Sequence, residues 1–414
     1  MSTINAQRFY DLFSQLRHIG SSDRGINRVA WTEQEWSAKD WAQNYLASAG
    51  FNSYIDGAGN VIGLWEPHPG APFVLMGSHL DTVPDGGAYD GALGVIGAIE
   101  AVLSLRESHI AIGYNVGIVC FADEEGVTLG DGLLGSRALI AQHTTASLKS
   151  LHTPYDHDLS DVVKPFGRSI DSILGAKFAY PIAAYLELHV EQGPVLDKAG
   201  IPIGIVSTIA GRRQGRVSIR GQANHAGTTP MGDRHDALVQ ASRAIIALQE
   251  YASRHHVVGT VGSIRVEPDA PNVIPGHAHF TYDIRGINDD TVSKVEQQWL
   301  LAAKTSGCEL NISHPYTHSA VPTDESLRHS IQMAAEWLDL PALHMPSMAV
   351  HDAMVMASVT PTAMIFVPSR RGISHARGEF TSQAHCLNGV EVLARTLYSV
   401  IQGPPQTQKS SLLS

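Results

Sequence analysis

The sequence of 414 residues predicts an α/β protein in which a sheet-based domain is interrupted by a smaller inserted unit. Three observations carry this. Apolar runs of strand length recur at residues 73–76, 116–121, 183–190 and 362–367, and histidines or acids follow or lie within each. Helical apolar spacing appears between them, as at Leu93, Ile96, Ile99 and Leu103. After Ile209-Ala210-Gly211 the pattern changes to strand, helix, strand, strand, helix, strand.

The first run hands over to Gly77-Ser78-His79-Leu80-Asp81-Thr82, so His79 and Asp81 fall at a strand's C-terminal edge. Residues two apart on an extended chain point the same way. Asp81 can therefore accept one ring N–H of His79, which leaves the other nitrogen free for a metal. Asp90 opens a Gly-rich turn ahead of the helical pattern, where a carboxylate can bridge two cations. The run 116–121 delivers Asp123, Glu124 and Glu125, and three adjacent acids do not cheaply stay charged without cations. Alone, they read as a solvated turn. Their place at a strand end points instead to a site at the rim of an α/β sheet.

Residues 183–190 alternate, with Leu186, Leu188 and Val190 facing one way and Tyr185, Glu187, His189 and Glu191 the other. An isolated histidine here would be a satisfied side chain; two metal-type segments upstream make His189 a ligand candidate. The run 362–367 precedes Gly372-Ile373-Ser374-His375, which sets another histidine just beyond a strand edge.

Composition excludes several classes. A net charge of −11 without any basic run argues against a nucleic-acid partner. Cys120, Cys308 and Cys386 are an odd, widely spaced set, so no disulfide framework is expected. Residues 1–13 lack a basic region followed by an apolar one, and no apolar run reaches membrane-spanning length. The expectation is a soluble, cytoplasmic protein with no membrane partner, a solvated loop at 152–157 and a frayed polar tail at 403–414. Gly130-Asp131-Gly132-Leu133-Leu134-Gly135 matches a dinucleotide fingerprint and raises a nicotinamide-dependent oxidoreductase as a rival. The turn starts well after the strand end at Phe121, and no clear strand with a ribose-binding acid follows, so the context is wrong.

In the inserted unit, strands at 216–220, 259–267, 276–285 and 308–313 and helices at 236–254 and 290–306 give the βαββαβ order of a ferredoxin-like domain. One helix carries Leu238, Ala241, Ile245 and Leu248 as its stripe, and the other Val292, Val295, Trp299 and Ala302. On the strand 276–285, Ala278, Phe280, Tyr282 and Ile284 form the apolar face, with His279, Thr281, Asp283 and Arg285 opposite. The expected organisation is therefore a split domain, 1–210 and 324–414, around an insertion at 211–323.

These motifs, with Asp90-Gly91, Glu187-Leu188-His189-Val190-Glu191-Gln192-Gly193, Asn224-His225-Ala226-Gly227-Thr228-Thr229-Pro230-Met231 and Asn272-Val273-Ile274-Pro275, occur in order along nearly the whole chain. The chain resembles the amidase, hydantoinase and carbamoylase group of the di-metal aminoacylase and carboxypeptidase G superfamily. The Glu-Leu-His-Val-Glu-Gln-Gly segment resembles the carbamoyl and allantoate hydrolases. The resemblance implies a split catalytic domain with a di-metal site at the strand C-terminal edge, and an inserted ferredoxin-like lid and dimerisation domain. It implies two divalent metal ions per subunit, zinc, manganese or cobalt, bridged by Asp90. His79 and His189 complete one and Glu125 and His375 the other. Glu124 is then the general base and Asp81 its catalytic companion. Two dications about 3.5–4 Å apart lower the pKa of a shared water, and Glu124 would carry its proton to the leaving nitrogen.

The resemblance further implies that Arg285 grips a substrate carboxylate, a task suited to a planar guanidinium. Asn272 and Gln192 add hydrogen bonds, Arg213 is a further anion contact, and His225 serves the carbonyl or oxyanion, reaching across a homodimer. Two departures bear on substrate choice. Residues 127–132 replace an Arg-Phe segment of the relatives, and Met348-Ala349-Val350 replaces a glycine-containing turn before His351-Asp352. The expected activity is hydrolysis of the carbamoyl C–N bond of a small carboxylated ureido substrate, first an N-carbamoyl-L-amino acid. Allantoate is the alternative, followed by ureidoglycolate and N-carbamoyl-β-alanine.

Overall fold

The computed structural model describes residues 4–153, 157–304 and 309–402. The tail 403–414, Cys308, the helix end expected at Ser306 and residues 154–156 of the loop 152–157 lie outside them. The fold is mixed α/β. The chain divides into two compact units, one of Met1–Ser207, Thr323–Met345 and His351–Ser414, the other of Thr208–Pro322 and Pro346–Val350. The second unit thus takes in a short stretch assigned by sequence to the first domain.

In the first unit the strands run in the order Asn52–Ile55, Val61–Trp65, Asn115–Phe121, Phe73–His79, Ile182–Val190, Thr362–Val367 and Ile203–Ile209. The four central strands are parallel and leave their C-terminal ends along one edge, with His79 level with Phe121 and Val190 with Val367. Phe73–His79 and Asn115–Phe121 are buried along their whole length, and Ile182–Val190 along all but its first two residues. Parallel strands covered on both faces read as nearly unbroken apolar runs for this reason. Helix Ala92–Glu107 is buried from Ala92 to Leu105, far beyond the single stripe the sequence suggests, and packs against helix Gln383–Ile401.

The strand begun by the run 73–76 continues through Gly77, Ser78 and His79, so His79 is its last residue rather than part of the following turn. Gly77 makes this approach feasible, because a Cβ there would lie 1.7 Å from the Val119 carbonyl oxygen. Gly77→Ala is expected to destabilise the protein by about 2 kcal/mol or more, as over-packing against fixed backbone does. The midpoint of urea unfolding measures this, and an unchanged midpoint would contradict it.

The second unit is an antiparallel sheet ordered Ile264–Glu267, His277–Gly286, Gly211–Arg220, Glu309–His318, with helices Ala237–Arg254 and Asp289–Ala303 contributing to its core. The single strand expected at 259–267 is two pieces, Val258–Thr260 and Ile264–Glu267, both paired with His277–Gly286. Asp236 caps its helix by accepting the Leu238 and Val239 N–H groups. The buried stripe of that helix is Ala237, Gln240, Ala241, Ala244, Leu248 and Ala252. Leu238 is exposed and Ile245 half-buried, a correction to the expected stripe. Alanines let the helix approach the sheet closely, and hydropathy alone ranks them below leucine. Ala303 likewise replaces Ala302 on the second helix.

Candidate functional site

Asp90 is the hub of the polar cluster at the sheet edge. Its Oδ1 lies 3.2 Å from His189 Nε2 and 3.5 Å from His79 Nε2, and its Oδ2 lies 3.2 Å from His375 Nε2. Glu125 Oε2 is 3.4 Å from the same His375 nitrogen. Two groups of donor atoms result, His79–Asp90–His189 and Asp90–Glu125–His375, each with all atoms within 4.8 Å of one another. Asp90 belongs to both.

The imidazoles are oriented for ligation. His189 Nδ1 faces the Val190 carbonyl at 2.9 Å and His79 Nδ1 the Asp81 carbonyl at 3.0 Å, so each Nε2 is left as the free nitrogen. For His79 this differs from the expected partner. The Asp81 carboxylate is 3.6 Å from the ring and instead accepts the N–H groups of Glu124 (3.3 Å) and Glu125 (3.1 Å). Asp81 therefore holds the acidic turn in place. Gly91 closes against the same ring; it adopts φ +60°, and a Cβ there would lie 2.6 Å from His79.

Burial raises the Asp90 carboxyl, yet hydrogen bonds from His189, His375 and His79 outweigh it and hold Asp90 well below the usual carboxylate range. Burial, with the Asp90 charge beside it, pushes Glu125 up to about 7. The hydrogen bond to Asp90 raises His375 to about 9. Burial, aided by Asp352 and Glu125, pushes Glu124 well above its ordinary value against the pull of His79. Glu124 Oε2 stands 3.8 Å from His79 Nε2.

Imidazole and carboxylate donors without thiolate fit zinc, manganese or cobalt. The fit rests on geometry, since three Nε2 atoms and two carboxylates converge while both buried imidazoles have their other nitrogen engaged. Gln192, at φ +58°, donates from Nε2 to Asp90 Oδ2 at 2.7 Å and lies 3.2 Å from His375 Nε2, so it sits against this cluster.

The remaining candidates lie in the second unit. His225 pairs with Val273 in a two-residue ladder, and the Ala226 N–H donates to the Asn272 carbonyl, which brings His225 and Asn272 together. His225 Nδ1 accepts N–H groups from Gly227 (3.0 Å) and Thr228 (3.2 Å), so Nε2 carries the proton and can donate. Arg285 donates to Asp283 from Nε (2.9 Å) and Nη2 (3.1 Å), and to the Met348 carbonyl from Nη1 (3.1 Å). Arg213 is tied to Glu296 at 2.8 Å; Arg212 is the arginine that shares Asp283 with Arg285.

Sequence reasoning assigned no role to several buried groups here. Glu187 accepts from Ser78 Oγ, Tyr185 Oη and the Ala353 N–H, so the polar face of its strand is an internal network. His351 packs on His189 with ring centroids 4.5 Å apart, and Asp352 is buried beside Glu187 and Glu124 in charge terms. The His-Asp pair was visible only as a departure from the relatives. The Gly-rich stretch at 130–135 leads into a helix of only six residues, Leu134–Leu139, well after the strand end at Phe121. Among the described residues, no helix is long and apolar enough to cross a membrane, and Cys120 and Cys386 are buried and free.

The sequence model of peptidase family M20/M25/M40 matches residues 75–399. The chain is similar to an N-carbamoyl-L-amino acid amidohydrolase of Geobacillus stearothermophilus, 35% identical over 97% of this chain and 100% of that protein. It is similar to an allantoate amidohydrolase of Bacillus subtilis (strain 168), 32% identical over 94% of this chain and 96% of that one. Among solved structures it is similar to an amidase of the hydantoinase/carbamoylase family from Burkholderia vietnamiensis. That match has a TM-score of 0.87 and 28% identity, covering 97% of this chain and 98% of the other.

Proposed function

The chain belongs to peptidase family M20/M25/M40, and from that premise we propose that it is a metal-dependent amidohydrolase cleaving the carbamoyl C–N bond of a small carboxylated ureido substrate. An N-carbamoyl-L-amino acid is the first choice. The observation that carries the reading is Asp90 held between His79–His189 and Glu125–His375, in a chain similar over nearly its full length to such an amidohydrolase. Two divalent cations, zinc, manganese or cobalt, held by those groups would polarise the substrate carbonyl and acidify a water.

Glu124 takes a proton from the attacking water and returns it to the departing nitrogen as the C–N bond breaks. Its position is set by Asp81, which binds the N–H groups of Glu124 and Glu125. His225, with its proton on Nε2, donates to the carbonyl oxygen as negative charge develops there. Arg285 meets the carboxylate, with Asn272 and Gln192 adding hydrogen bonds. Arg213 is the weakest of the expected contacts, since Glu296 already engages it.

The second unit's strand order supports reading it as a ferredoxin-like lid and dimerisation domain inserted at about residues 211–323, with a homodimer as the assembly. A cytoplasmic setting accords with the free, buried Cys120 and Cys386.

Ranking kcat/KM across N-carbamoyl-L-amino acids, allantoate, ureidoglycolate and N-carbamoyl-β-alanine tests the substrate choice. The N-carbamoyl-L-amino acids are expected to lead; a clear lead for allantoate would install the alternative. Arg285→Ala is expected to raise KM for carboxylated substrates about 10–100-fold more than for their amides, the worth of a charge-assisted pair. An equal effect on both would remove the carboxylate role.

A further inference from the structure

We propose that Glu379 is a positioning residue for Asp90 and His375, a role resting on the reading of Asp90 as the hub of the cation-binding groups. Glu379 lies four residues after His375 on a loop closed by the Arg370 N–H donating to the Phe380 carbonyl at 2.9 Å. Its side chain turns back into the protein, and the residue is 5% exposed. Oε1 accepts the backbone N–H groups of Tyr89 at 2.7 Å and Asp90 at 3.0 Å. Oε2 accepts from the Ser374 hydroxyl at 2.6 Å, and the Ser374 oxygen is also 3.1 Å from Asp90 Oδ2.

One carboxylate therefore fixes Asp90 twice, through its own backbone and through the serine next to His375. It joins segments about 290 residues apart in sequence. Gly87 is packed against the same group, since a Cβ there would lie 2.1 Å from Glu379 Oε1. Among the described residues Glu379 forms no ion pair with a lysine or arginine. A buried carboxylate without a cationic partner is costly, and what it receives in return is hydrogen bonds from the groups that aim Asp90. Its task is to supply two acceptor oxygens at fixed positions.

That task separates geometry from charge. The amide oxygen of Glu379→Gln can accept the Tyr89 and Asp90 N–H groups, and its NH2 can donate to Ser374. Glu379→Ala offers neither. The test is calorimetric titration of metal-stripped, full-length protein with manganese, with kcat and KM measured on the reloaded protein. Wild type is expected to bind two ions. Glu379→Ala should bind one of them at least about tenfold more weakly, the usual effect of losing a group behind a ligand, with kcat falling and KM little changed. Glu379→Gln should keep both affinities within about threefold. Wild-type binding of two ions by Glu379→Ala would overturn the proposal, as would Glu379→Gln being as impaired as Glu379→Ala.

If Glu379→Ala fails to fold by circular dichroism, Ser374→Ala removes only the hydroxyl link. It should weaken one ion in the same sense, and unchanged affinity would overturn the proposal. Asp90→Ala separates the premise from the proposal, because two ions retained in that variant would remove the hub itself, whatever Glu379 does.

Discussion

Replacing Glu124 by Gln is expected to lower kcat by about 10²–10⁴-fold, the range for loss of a positioned general base, while both divalent ions remain bound. The substitution preserves volume and one acceptor oxygen but removes the group that can take a proton. Glu124 is placed for that task by its backbone, since Asp81 accepts its N–H at 3.3 Å, and by a side chain whose Oε2 stands 3.8 Å from His79 Nε2. Burial, with Asp352 and Glu125 near it, raises its affinity for a proton, which suits a group that must hold one and then release it. Glu124 is in neither set of converging donor atoms, so metal stoichiometry should be unchanged. Near-full activity in the metal-loaded variant would show that the base lies elsewhere.

Asp90→Ala should be more severe for binding. Both oxygens of this carboxylate are in use, Oδ1 toward His79 and His189 and Oδ2 toward His375, so its loss dismantles both donor groups at once. Affinity for manganese should fall by at least about 100-fold at each site, beyond the effect of losing an outer group, and turnover should vanish with it. Metal added to wild type should raise the unfolding midpoint, because a ligand bound only by the folded state stabilises it by mass action, about 2.7 kcal/mol at 100 times Kd. In Asp90→Ala this protection should disappear. Metal analysis after dialysis, together with thermal unfolding with and without manganese, reads both outcomes.

The candidate ligands were legible because each stands at or just beyond the end of an apolar run, and a parallel sheet brings such ends to one edge. Phe73–His79, Asn115–Phe121, Ile182–Val190 and Thr362–Val367 do so here. Glu379 was not legible. It is an acid in a loop, and its partners Tyr89 and Asp90 are remote in sequence. The choice of Arg213 over Arg212 turned on strand parity. The strand begins at Gly211, with Arg212 opposite Arg285 and Gln214 opposite Asp283, which puts Arg213 on the face of Tyr282 and Glu296. Residue types alone do not fix that register. Nor did they reveal that Leu238 faces outward, because alanines supply the contact surface of its helix.

The central claim is carbamoyl C–N hydrolysis by a metal-loaded site. Its most direct test is ammonia release by protein stripped of metal and reloaded with manganese, zinc or cobalt, given an N-carbamoyl-L-amino acid beside the corresponding N-acetyl amino acid and a dipeptide. The account predicts metal-dependent, stoichiometric ammonia from the carbamoyl compound and little cleavage of the other two. Cleavage of the acetyl compound or the dipeptide, with no ammonia from any ureido substrate, would contradict it and assign the protein to acylase or peptidase chemistry.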